Sequence, residues 1–222
     1  MSNLLIAHAS DTHNRPSIMR GIATSKADLF ITTGDMQAEQ ARRYGAHWTS
    51  EIERDYQHQW FRKYAKKLAK DIGSRPWVLV DGNHDFAPLE HWLRYYGVDV
   101  HNVSGSYVDL LGLRFAGFRE VPYINGTMKG EEHDLRPFVE RAFSFEPDVL
   151  VTHAPASGIL SDKWGSSELR TALDYREHKI RYHFFGHIHE CGGQNITLSG
   201  TYHANGACCF REHELDNLAQ YG

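Results

Sequence analysis

The chain has 222 residues, a formal net charge of -4, 41% hydrophobic and 23% charged residues, which is the composition of a soluble globular protein with a sizeable core and predicts one domain over 1–222. So mild an acidic balance offers no general attraction to nucleic acid or to an anionic membrane, because both call for a basic face. The apolar run Leu4 to Ala9 is too short for a signal peptide or a membrane span, and three cysteines, two adjacent at Cys208 and Cys209, make no disulfide framework, so the expected location is the cytoplasm.

In chain order, "LLIAHAS" reads as a strand and is followed by a helical pattern from Pro16 to Ala27, with Ile18, Ile22 and Ala23 on one face. "DLFITTGD" is the second strand. The stretch from Gln37 to Ile72 then carries Trp48, Ile52, Tyr56, Trp60, Tyr64 and Leu68 at a spacing of four, which predicts one long helix packed on a sheet rather than an aromatic platform for bases. Its basic part, "FRKYAKKLAK", reads as a solvated face. "PWVLVDGN" is a third strand, and a helix from Pro88 to Tyr96 stops at Gly97. "VDVHNVSGSYVDLLGLRFAGF" reads as hairpins turning at Ser104-Gly105 and Leu111-Gly112. The loop "FREVPYINGTMKGEEHD" has no periodicity, and loops of that length often cover active sites; Arg119, Tyr123 and Asn125 are its candidate substrate contacts.

A helix from Leu135 to Phe143, the strand "PDVLVTHA", a helix from Ser167 to Lys179, the strand "YHFFGHIH" and a hairpin turning at Ser199-Gly200 complete the chain. His8 and His183, inside strands, read as core residues more readily than as ligands, as does His203 in the closing hairpin. Strand-helix alternation followed by consecutive strands in both halves predicts an α/β fold, a four-layer αββα sandwich of two mixed sheets flanked by helices.

Each core strand ends in a polar cluster: "SDTH" at 10–13, "GD" at 34–35, "GNHD" at 82–85, "THAP" at 152–155 and "GHIH" at 186–189. In sheets built from βα units such ends converge on one edge. Together they offer carboxylates from Asp11 and Asp35, an amide oxygen from Asn83, and imidazoles from His13, His153, His187 and His189. An oxygen and nitrogen set without thiolate suits Mn²⁺, Fe or Zn²⁺. Seven donors exceed one tetrahedral ion but fit two ions sharing a carboxylate, and two metals roughly 3.5–4 Å apart are the arrangement that clamps a phosphoryl group. In "DTH" and "HIH" residues i and i+2 of an extended segment face the same side, and a glycine before the ligand permits close backbone approach.

The ordered set D-x-H, G-D, G-N-H-D, a later His and G-H-x-H resembles the calcineurin-like metallophosphoesterase superfamily. The flanks "THAP", "WGSSELR" and "FFGHIHECGG" look most like its MPPED-type branch of small phosphodiesterases. The resemblance implies that Asp11, His13 and His189 bind one metal, that Asn83, His153 and His187 bind the other, and that Asp35 bridges. It further implies that His84 is no ligand but faces the scissile phosphate as transition-state stabiliser or general acid, oriented by Asp85. The function so implied is hydrolysis of a small phosphodiester by attack of metal-bound hydroxide. The alternatives are a metal-dependent nuclease, disfavoured by the net charge, and a non-catalytic binding scaffold, disfavoured by the intact ligand set.

Overall fold

The computed structural model describes residues 3–13, 15–37, 45–122, 129–161 and 164–216. Thirteen strands among them are β1 (Leu4–Ser10), β2 (Leu29–Thr33), β3 (Trp77–Val80), β4 (Val100–Asn102), β5 (Tyr107–Leu110), β6 (Leu113–Phe118), β7 (Val121–Pro122), β8 (Lys129–Gly130), β9 (Val149–Thr152), β10 (Tyr182–Phe185), β11 (Asn195–Leu198), β12 (Thr201–Asn205) and β13 (Cys209–Leu215). The α-helices are α1 (Pro16–Thr24), α2 (Ser50–Ile72), α3 (Leu89–Tyr95), α4 (Arg136–Ser144) and α5 (Ser167–Tyr175). One sheet runs β13-β1-β2-β3-β4 and the other β11-β12-β10-β9-β6-β5, with β7 and β8 forming a small pair.

Strand alternation builds the layers. Ile6, Leu29, Ile31, Val78 and Val80 of the first sheet meet Phe115, Val149, Val151 and Phe184 of the second in a core between the sheets. The intervening residues Ala7, Phe30, Trp77 and Leu79 point the other way, onto Phe61, Leu68 and Leu93 of α2 and α3. On the far side Leu150 and Phe185 pack against Val139, Leu169 and Ala172 of α4 and α5. Two mixed sheets face each other with helices outside, as the sequence pattern predicts.

The five predicted core strands form, and three details depart from expectation. The stripe at a spacing of four winds out of the core, because four residues exceed the helical turn of about 3.6. The buried face of α2 is Glu53, Gln57, Trp60, Phe61, Ala65, Leu68, Ala69 and Ile72; Ile52, Tyr56 and Tyr64 are only half-buried, and Trp48 precedes the cap residue Thr49. The turn at Ser104-Gly105 joins no hairpin. Val103 N donates to Leu79 O in the first sheet while Gly105 N donates to Gly117 O in the second, so the chain crosses between sheets there. Leu111-Gly112 and Ser199-Gly200, with positive φ at both positions, do close two-residue hairpins. Helices α1 and α5 end at Thr24 and Tyr175, short of the predicted Ala27 and Lys179, where Ser25 and Arg176 turn extended.

β1, β2 and β3 run parallel to one another in one sheet and β9 and β10 in the other, with Ala9 beside Thr32, Thr33 beside Val80, and Val151 beside Phe184. Their carboxyl ends share one edge. No helix among the described residues is long and apolar enough to cross a membrane.

Candidate metal centre

At that edge the chain leaves the strands through left-handed backbone: φ is 48° at Asp11, 40° at His13, 52° at Asp35 and 69° at His187. Non-glycine residues seldom take this conformation, which costs roughly 1–2 kcal/mol each. Backbone bonds hold the loops together, Asp11 N to Gly34 O at 3.0 Å and His13 N to Asp35 O at 3.3 Å. Close approach needs glycine in two places. A Cβ on Gly186 would collide with Ser10 Oγ, and one on Gly34 would lie 2.5 Å from His153 Nδ1.

Two groups of donor atoms result, each with all atoms within 4.8 Å of one another: Asp11, His13 and His189, and Asp11, Asp35 and His153. In the first, His189 Nε2 lies 3.0 Å from Asp11 Oδ1, and the His13 and His189 rings are 5.7 Å apart. Asp11 Oδ2 is engaged by Ser10 Oγ at 2.7 Å and by the backbone N–H of His187 at 2.8 Å, which leaves Oδ1 to face the cleft. Around the second, His153 Nε2 is the focus, 3.0 Å from Asn83 Oδ1, 3.2 Å from His187 Nδ1 and 3.5 Å from Asp35 Oδ2. All seven predicted ligands are therefore gathered in one place.

The chemistry of this focus fits a cation. His153 Nδ1 donates to Thr33 O at 2.6 Å, which in the neutral ring turns the lone pair of Nε2 toward the cluster. There it meets the Asn83 oxygen and the Asp35 carboxylate, acceptors facing an acceptor, and only a positive charge at the centre reconciles them. Ligand atoms about 2.0–2.2 Å from one ion at tetrahedral or octahedral angles lie roughly 3.0–3.5 Å apart, the spacing found. Without an ion a proton takes the place: burial opposes it, but the Asp35 carboxylate, with Asp11, pushes His153 up to about 10. Burial and His153 together push the neighbouring His187 down to about 4. Burial also works against the charge of Asp35, and His153 overrides it, holding that carboxyl below its ordinary range.

Asp85 holds the loops more than it holds His84. Its Oδ2 accepts the backbone N–H groups of Asp35 and Gly82, both at 2.8 Å, and its Oδ1 has no hydrogen-bond partner among the described residues. Burial and then the nearby Asp35 and Asp81 carboxylates push its pKa up to about 8. The expectation that it orients the His84 ring is thus replaced by a different geometry, in which the buried carboxyl ties two ligand loops together. His84 itself is half-buried; its N donates to Asp35 Oδ1 at 2.8 Å, and its ring stands 5.9 Å from that of His13.

The residue that positions His84 from the other side is Gln57 of α2, which sequence reasoning missed. Its Nε2 donates to His84 O at 2.7 Å, and its Oε1 accepts Phe86 N at 2.7 Å and Ala87 N at 3.0 Å. A signal existed: Glu53 and Gln57 are polar residues in line with the buried apolar face of α2. Gln57→Leu strands two backbone N–H groups in the interior, and each buried unpaired group costs about 1–3 kcal/mol. The expected result is a loss of at least about 2 kcal/mol in urea unfolding, with slowed turnover in the protein that remains folded. Unchanged stability would show that the loop does not depend on this contact.

Of the predicted substrate contacts, Arg119 follows β6, and its Nη1 reaches Asp81 Oδ2 at 3.4 Å. Tyr123 and Asn125 lie outside the described residues. His8 and His183 are buried core residues, bonded to Thr33 Oγ1 at 3.0 Å and Thr152 Oγ1 at 2.9 Å, and His203 pairs with His183 at 3.1 Å.

The sequence pattern of the calcineurin-like phosphoesterases matches residues 4–191. One solved crystal structure aligns with a TM-score of 0.65 and 14% identity, over 97% of this chain and 100% of the other. The protein TT1561 of Thermus thermophilus aligns with a TM-score of 0.60 and 12% identity, over 97% and 100%. Likeness at such identities speaks for the fold alone. The sequence finds no match among curated proteins.

Proposed function

The chain belongs to the calcineurin-like phosphoesterase family, whose members are metal-dependent hydrolases, and we propose on that basis that it is a dinuclear phosphodiesterase acting on small phosphodiesters in the cytoplasm. The observation that carries the reading is the meeting of lone pairs at His153 Nε2, where Asn83, Asp35 and His187 converge within 3.5 Å. Asp11, His13 and His189 would hold one ion; Asn83, His153 and His187 the other; and Asp35 would serve both. Asp11 stands in both groups of close donors and lends its charge to each. The preference for diesters draws its support from the flanking motifs "THAP" and "FFGHIHECGG", which resemble those of the MPPED-type branch.

When bound, divalent ions supply positive charge against the phosphoryl oxygens and lower the pKa of a bound water to around 7, as zinc does. The chain's own residues do the rest. Ser10 and the His187 backbone orient Asp11; Thr33 O selects the His153 tautomer; Asp85 fixes the Asp35 and Gly82 backbones against each other. His84, whose backbone is pinned by Asp35 and Gln57, carries an imidazole beside the same cleft and there donates a proton to the departing oxygen.

The test begins with chelated protein reconstituted with Mn²⁺, Fe²⁺ or Zn²⁺. Two ions per chain are expected, with hydrolysis of bis(p-nitrophenyl) phosphate exceeding that of p-nitrophenyl phosphate and vanishing on chelation. Full activity in protein free of metal by elemental analysis would overturn the reading, and cleavage of single-stranded or duplex DNA in preference to the small diester would make the chain a nuclease.

A further inference from the structure

Beside the metal centre lies a cleft of about 600 Å³ that none of the catalytic roles uses. It opens where the chain crosses between the sheets, with Arg119, Asn102 and Ser104 on its floor, Arg94 on α3 and Arg141 on α4. Its nearness to the centre follows from the register. Phe118 pairs with Thr152, so Arg119 and His153 leave adjacent parallel strands, which lie about 4.8 Å apart. Arg119 reaches Asp81, only two residues before Asn83, and two residues of chain span at most about 7 Å.

The cleft carries hydrogen-bonding capacity that the protein itself leaves slack. Arg119, with its side chain 37% exposed, bonds Asp81 at a long 3.4 Å, and Asp81 is held independently by Asn102 Nδ2 at 3.2 Å. Two carboxylates share the cleft, but Glu120 is 3.9 Å from Arg119 Nε and Glu90 is 3.9 Å from Arg94 Nη2, beyond hydrogen-bond reach. Ser104 Oγ, buried, has no partner among the described residues. With Asp81 the cleft sets three carboxylates against three guanidinium groups; Arg94 spends one N–H on Val100 O and Arg141 one on Gly105 O, and each guanidinium keeps further N–H donors open, with a hydroxyl to spare. The guanidinium groups come from three separate elements, and a tetrahedral oxyanion accepts donors from several directions, whereas a planar carboxylate is satisfied by a single fork.

We infer that this cleft is a subsite for a second phosphate, so that the substrate is a diester carrying another phosphate one sugar away from the scissile one. The inference rests on the proposed phosphodiesterase function only for where the scissile group sits. On binding, Arg119 exchanges Asp81 for the phosphate and Asp81 stays on Asn102.

Two esters with the same leaving group test it: thymidine 5′-(p-nitrophenyl phosphate), and the same ester with a 3′-phosphate. The 3′-phosphate is expected to raise kcat/KM about tenfold or more, the size of one or two charge-assisted hydrogen bonds, chiefly through KM. Arg119→Ala and Arg141→Gln should each shrink that advantage, with metal content measured in both; should Arg119→Ala lose metal through Asp81, Arg141→Gln decides. A second arm needs no turnover: calorimetry of thymidine 3′,5′-bisphosphate against thymidine 5′-monophosphate on metal-loaded protein, with the same preference expected. Equal binding of the two nucleotides, with the shorter ester still hydrolysed, overturns the subsite and leaves the phosphodiesterase standing. A bisphosphate preference that depends on Arg119 or Arg141, without hydrolysis of either ester, upholds the subsite and overturns the activity. A preference untouched by both substitutions places the phosphate elsewhere and also overturns the inference.

Discussion

Asp35→Asn is expected to weaken both metal ions together and to lower kcat/KM on a phosphodiester by roughly 10³-fold or more, the scale of several kcal/mol of lost charge stabilisation. The substitution keeps the shape of the side chain and removes its charge. Asp35 Oδ1 accepts the His84 N–H at 2.8 Å while Oδ2 faces His153 Nε2 at 3.5 Å, so the carboxylate has one arm on the loop and the other at the focus of donors. An amide nitrogen at Oδ1 would oppose an N–H; at Oδ2 it would turn two hydrogens toward a cation. By distance alone His13 and Asp35 each stand in one donor group, and it is the bridging role proposed for Asp35 that makes His13→Ala a different lesion. Titration of metal-free protein should show two weakened sites in Asp35→Asn and chiefly one in His13→Ala. Single-site loss of equal size in both variants would refute the bridging role.

His84→Ala should separate substrates by their leaving groups. General acid catalysis contributes about 10²–10⁴-fold, and only where the departing oxygen needs a proton. Nitrophenolate leaves without one; a ribose alkoxide does not. The expected result is a fall of roughly 10²–10⁴-fold in kcat for a nucleotide diester with a ribose leaving group, a much smaller fall for the nitrophenyl ester, and unchanged metal content. Equal falls for both esters with metals retained would assign His84 to charge stabilisation on the phosphoryl oxygens, which develops with either leaving group. Loss of metal would instead make its ring a support for a ligand, since its backbone N–H already holds Asp35.

What was legible in the chain was whatever is written locally. An apolar run closed by a polar cluster names a strand and its functional end in about eight residues, and all five such ends meet in space, but the i, i+2 alternation of an extended segment does not aim the histidines: His187 sits in left-handed backbone with its ring on His153, and His189 opens a short 3-10 turn with its ring on Asp11. What was not legible depends on partners far along the chain. Gln57 lies 27 residues before His84, whose carbonyl it holds, and nothing in "DYQHQW" names the loop it serves. Asp85 looks like the orienting acid of the adjacent histidine until burial turns it toward backbone N–H groups 3 and 50 residues away. Ser104-Gly105 carries the same turn signal as a hairpin, and only the pairing of β4 with β3 and of β5 with β6 shows that the two flanking strands belong to different sheets.

The left-handed backbone at Asp11, His13, Asp35 and His187 has a consequence for how this fold ages under mutation. Four of the seven donors occupy conformations that glycine would take without strain, so the very positions that make the centre are those where the bare scaffold would relax on losing its side chains. Burial, and then the Asp35 and Asp81 carboxylates beside it, work against the charge of Asp85 and add to that tension. Stability and chemistry therefore pull in opposite directions at the same handful of residues. A lineage of this scaffold released from catalysis would drift toward glycine there and gain thermal robustness as it did so, while the layers beneath, which hold none of that strain, need hardly change.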